Sequence, residues 1–138
     1  MTVPARLRKF VELKVILTAQ KLRNKVVSVM VNDNKVAKKY RPNLSKTAID
    51  YTNEIVSELV EANDYIPNDE NKKLCRLMHL NEVLKLILKL ELLMNTIKDC
   101  IKTITYGDFE RISELLSILR KETQLWQRST KEKVVEEF

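Results

Sequence analysis

The chain has 138 residues, 44% of them apolar, with one Gly and three Pro, enough for one domain core but too few turn formers for a sheet protein. The formal charge of +6 is gathered at one end: residues 1–41 hold eleven Lys/Arg against two acids, and the rest hold fourteen against seventeen. That balance points to an all-α fold with a polyanionic partner, and two cysteines exclude both a disulfide framework and a four-cysteine metal site.

A first helix is expected over residues 4–31, opened by Pro4, which suits a first-turn position. Val11, Val15, Ala19, Leu22, Val26 and Met30 recur at steps of three and four and mark its core face. A second apolar line, Phe10, Leu13 and Leu17, lies round the cylinder from the first. It reads either as an oligomer interface or as packing beneath a neighbouring helix of the same chain. Lys14, Lys21 and Lys25 form a cationic strip between the two lines, and Arg6, Arg8 and Lys9 add charge to the first turns. With Glu12 and Lys14, these charges break up any apolar leader, so export is not expected and a cytoplasmic location is.

The stretch KVAKKYRPNLSK follows, after an Asn32-Asp33-Asn34 break, and contains no acid. Its Lys35, Lys38, Lys39 and Arg41 continue the cation series, so the candidate nucleic-acid contacts run from Arg6 to Arg41. Clustered cations bind polyphosphate by releasing condensed counterions, and need no sequence motif to do so. The plainer alternative is a solvated basic face. Tyr40 among them is placed either to stack on an unpaired base or to pack on the bundle end.

A second helix is expected over residues 44–64, with Leu44, Ala48, Tyr51, Ile55, Leu59 and Ala62 on one stripe, ending before Pro67. The third, over 69–103, carries an unbroken seam of Leu80, Val83, Ile87, Leu90, Met94, Ile97 and Ile101. Leu77, Leu84, Leu86, Leu88 and Leu93 widen that seam, so this helix is expected to be buried on most sides. Glu82, Lys85, Lys89 and Glu91 interrupt its most apolar run, which falls short of the ~20 apolar residues of a bilayer span. The fourth, over 106–130, opens on a capping-box-like Thr105…Asp108 pair and shows Phe109, Ile112, Leu116, Leu119, Thr123 and Trp126 at helical spacing. The charged residues 131–138 are expected to fray. Four helices with short connections pack most simply as an up-down-up-down four-helix bundle.

Catalytic signatures are missing from this sequence. There is one histidine, His79, and no glycine-rich phosphate loop is possible around the single Gly107. Cys75 and His79 share a helix face and make half a metal site, without further Cys or His in range. A small metal-dependent enzyme built on that pair is a third reading; the expectation is no enzyme, no metal and no cofactor.

The segment from Glu12 to Ser129 resembles the four-helix-bundle accessory variability determinant proteins of diversity-generating retroelements. IVSELVEAN at the end of the second helix and YGDFERISELLSILRKETQLWQRS in the fourth carry the resemblance. The related bundle proteins encoded in insertions of bacterial large-subunit ribosomal RNA genes also look similar. KKYRPNLSK before the second helix and Gln124-Leu125 before Trp126 depart from the usual pattern. What the resemblance implies is a homopentameric barrel that binds RNA or DNA. It also implies a non-catalytic partnership with the element's reverse transcriptase in mutagenic retrohoming. The alternatives are a structural or adaptor bundle that binds protein only, or a bundle protein of unknown role encoded in a ribosomal RNA insertion.

Overall fold

Four helices form where the apolar stripes predict them: α1 (Ala5–Met30), α2 (Lys46–Asp64), α3 (Glu70–Cys100) and α4 (Tyr106–Lys131). The computed structural model describes the backbone of residues 5–133 and the side chains of residues 13–133, and no strand occurs among them. Side-chain expectations for Arg6, Arg8, Lys9, Phe10 and Val11, and the end of the charged tail at 134–138, lie outside the described residues. Lys131, expected to fray, is still helical.

Each helix packs on two others, α1 on α2 and α4, and α3 on α2 and α4. Pairs across the seams fix the directions. Lys25 meets Asp108 while Thr18, two turns earlier, meets Glu122, so α1 and α4 run antiparallel. His79 meets Glu58 and Arg76 meets Ala62, so α2 and α3 are antiparallel as well. Arg76 lies over Trp126 and Arg120 reaches Glu91, which does the same for α3 and α4. The result is an up-down-up-down four-helix bundle.

The core is built from the expected stripes. Every member of the α3 seam from Leu80 to Ile101 is buried, with Val15, Ala19, Leu22, Val26 and Met30 of α1 facing it. Full burial of each such Leu or Ile contributes about 1.5–3 kcal/mol, which makes this seam a large source of stability. Leu86 joins the core, but Leu74, Met78, Leu88 and Leu92 are exposed, so α3 is buried on two seams and not on most sides of a single chain.

Local chemistry sets the helix ends. Asp69 caps α3 by accepting from the Lys72 backbone N–H at 2.8 Å, and the Thr105 hydroxyl caps α4 by accepting from Asp108 N–H at 3.2 Å. α3 stops at Cys100, short of residue 103, because Ile101 turns to extended backbone (φ −115°, ψ 105°) and buries its side chain. α2 begins at Lys46 after one wide helical turn over Arg41–Ser45, with Pro42 at its start where no amide is needed. The guanidinium of buried Arg76 donates to the Ala62 carbonyl at 3.0 Å and lies over the Trp126 ring at 5.2 Å, satisfying the end of α2 and joining three helices.

Candidate nucleic-acid interface

The connection between α1 and α2 is a braced structure. Val36 is fully buried and anchors it to the bundle, and the Thr103 hydroxyl donates to the Lys35 carbonyl from the α3–α4 turn. The Asn32 carbonyl accepts from Val36 N–H at 2.9 Å, and the Asn32 side chain accepts from Asn34 N–H at 2.9 Å. A single 3-10 turn, Lys38–Tyr40, follows, closed by Tyr40 N–H to the Ala37 carbonyl at 3.0 Å. Arg41 donates to the Val31 carbonyl at 3.1 Å and pairs with Asp33, locking the two ends of the connection together.

Braced in this way, the turn presents Lys38 and Lys39 to solvent. Both are exposed, and neither meets a carboxylate among the described residues. Lys39 Nζ lies 5.0 Å from the centre of the Tyr40 ring, and Tyr40 itself is half-buried against the core. The tyrosine therefore packs on the bundle end and keeps its ring face beneath a cation.

Other members of the basic series have acidic company. Asp108, a buried acid in the first turn of α4, receives Lys25 Nζ at 2.8 Å on Oδ1 and Lys35 Nζ at 2.7 Å on Oδ2. Burial alone would raise its carboxyl, but the hydrogen bonds from Lys25 and Lys35, with Thr105 and the Lys25 charge adding to them, hold it down to about 2. Two ammonium groups around one carboxylate leave this corner with a net charge of +1.

The strip on α1 behaves differently from the connection. Lys14, Thr18, Lys21 and Lys25 share one face at helical spacing, and that face runs along the α4 seam. Thr18 donates to Glu122 at 2.8 Å there, so acids of α4 stand beside the strip at both levels. Lys14 and Lys21 remain exposed and unpaired among the described residues. At 1.5 Å rise per residue, Lys14 lies roughly 24 Å along the axis from the end of α1, so these cations form an elongated track and not one compact patch.

Leu13 and Leu17, the described part of the second apolar line, are 52% and 47% exposed. No helix among the described residues covers them fully.

Two groupings were not singled out from sequence. The acids that meet the basic series, Asp33 and Asp108, stand far from most of their partners in the chain; Asp108 is 83 residues from Lys25. The other grouping lies on the α2–α3 hairpin, where Glu58 and Glu61 converge on His79. Cys75 is half-buried and stands outside that group, so the partners of His79 are two carboxylates of α2 and not the cysteine that shares its helix face. The signal was present in outline: Glu58 and Glu61 lie three apart on one helix, and a tight antiparallel turn at 65–69 brings them level with His79.

No helix among the described residues is long and apolar enough to cross a membrane. No protein-family model, curated protein or solved structure matches this chain.

Proposed function

We propose that the protein is a non-catalytic nucleic-acid-binding bundle that docks polyphosphate on the connection between α1 and α2. The observation that carries this reading is the rigid 3-10 turn that holds Lys38 and Lys39 in solvent without acidic partners. A braced backbone sets where these two lysines leave the surface, and their ammonium groups release condensed counterions on meeting phosphates. The +1 corner at Lys25, Lys35 and Asp108 adjoins them and adds to the attraction. Lys14 and Lys21 extend the track along α1, and Arg6, Arg8 and Lys9 belong to the proposal on sequence grounds alone.

The more specific role, as accessory partner of a retroelement reverse transcriptase assembled into a homopentamer, rests on the family resemblance. Exposed Leu13 and Leu17 support the assembly, because a second apolar line on α1 needs a partner outside the chain. Electrophoretic titration with single-stranded RNA and with duplex DNA tests the nucleic-acid reading. Binding must weaken steeply as salt rises; absence of binding at low ionic strength removes it.

An adaptor that binds only protein is favoured by one observation, the exposed Leu74, Met78, Leu88 and Leu92 on the outer side of α3. It predicts an oligomer or heterocomplex together with no salt-dependent affinity for either nucleic acid.

A further inference from the structure

The end of the bundle where α2 passes into α3 lies away from the basic connection and holds a different chemistry. His79 Nδ1 lies 2.6 Å from Glu58 Oε2 and 3.4 Å from Glu61 Oε2, and one ligand atom from each of the three residues falls within 4.8 Å of the others. The imidazole is stacked on Tyr65, with ring centres 5.5 Å apart and planes inclined by 19°, which fixes its orientation. Glu58 and His79 are half-buried, whereas Glu61 opens to solvent.

We propose that Glu58, Glu61 and His79 form a binding site for one divalent transition-metal ion, with Zn²⁺ as the natural occupant. Two carboxylates three residues apart on one helix face repel each other, and a dication between them removes that repulsion. One imidazole nitrogen with two carboxylate oxygens suits Zn²⁺ and its first-row neighbours, whereas Ca²⁺ and Mg²⁺ take oxygen alone. Metal–ligand bonds of about 2.0–2.1 Å in a tetrahedron set ligand atoms roughly 3.3 Å apart. The Glu61 to His79 separation of 3.4 Å already matches. The Glu58 to His79 separation of 2.6 Å is a hydrogen bond that must open by a small rotation of the glutamate. On binding, the Nδ1 proton leaves to solvent, and the fourth position is open to water.

The site joins α2 to α3 and contains no residue of the proposed phosphate-docking surface, so the two proposals stand or fall separately. Its consequence is mechanical: a bound ion clamps the α2–α3 hairpin and raises the stability of the bundle logarithmically with the free-ion concentration once that exceeds the dissociation constant.

Chelator-treated full-length protein titrated with Co²⁺ and with Zn²⁺ tests the proposal. One Co²⁺ per chain with visible absorption bands of a four- or five-coordinate ion, displaced by Zn²⁺, is expected, together with a higher melting temperature in Zn²⁺. Glu61→Gln, at an exposed position that leaves the fold intact, is expected to weaken binding at least about tenfold, and His79→Gln by more. Glu54→Gln, elsewhere on α2, is expected to bind like the native protein. Absence of a stoichiometric ion, or native affinity in Glu61→Gln, overturns the proposal.

Discussion

Lys35 Nζ reaches Asp108 Oδ2 at 2.7 Å and so ties the connection after α1 to the first turn of α4. Lys25 meets the other oxygen of the same carboxylate at 2.8 Å. One carboxylate thereby holds both the end of α1, through Lys25, and the connection, through Lys35.

That arrangement sets a pH dependence. The Asp108 carboxyl sits at about 2 in the folded protein against an ordinary 3.8. Between those values the unfolded chain holds the extra proton, so the contribution is complete above about pH 4 and is lost as pH falls through about 2. Asp108→Asn is expected to lower stability at neutral pH by about 2 kcal/mol. Urea denaturation at pH 7 and at pH 2 checks this, since the difference between the native and variant proteins must be largest at the first and mostly gone at the second.

The same substitution leaves Lys25 and Lys35 without their carboxylate. Affinity for RNA is expected to rise, and its salt dependence to steepen by roughly one phosphate contact. Fluorescence titration across a salt series reads both.

Arg76 joins α2, α3 and α4 through the Ala62 carbonyl and the face of Trp126. Arg76→Ala removes one of the two donors to the Ala62 carbonyl, which keeps only the Tyr65 N–H at 3.3 Å, and opens a gap beside the ring, so it is expected to destabilise by about 2–4 kcal/mol. Arg76→Lys should recover only part of this, because an ammonium lacks the planar group that meets the indole. Thermal melting of the two variants decides.

How far the fold could be read in advance follows from which interactions are local in sequence. The α3 seam from Leu80 to Ile101 was legible because spacing alone puts those residues on one face, and the Thr105 cap because its partner Asp108 is three residues away. The pairing of Lys25 and Lys35 with Asp108 was not, since it depends on how α1 and α4 are rotated against each other, which no local pattern records. The same holds for His79, whose spacing pointed along its own helix to Cys75, whereas its partners come from the adjacent helix. The braced turn at Lys38–Tyr40 was also hidden, because its rigidity comes from buried Val36 and from Thr103 of a distant segment.

Leu13 and Leu17 give the assembly its test. Replacing both with Glu is expected to convert a multi-chain particle into single chains while the melting temperature of the bundle itself changes little, because neither side chain enters the core. Light scattering of the native protein and the double variant settles it: a native protein that is already a single chain removes the oligomer.

Lys38 and Lys39 are the cations on which phosphate docking depends most. Single-stranded RNA binding measured from low to moderate salt, for the native protein and for the double variant Lys38→Glu, Lys39→Glu, tests this dependence most directly. Log affinity of the native protein is expected to fall linearly with log salt, and the variant to bind more weakly with a slope shallower by roughly 1.4 at an unchanged melting temperature. Equal affinity and equal slope in the two proteins would contradict that dependence.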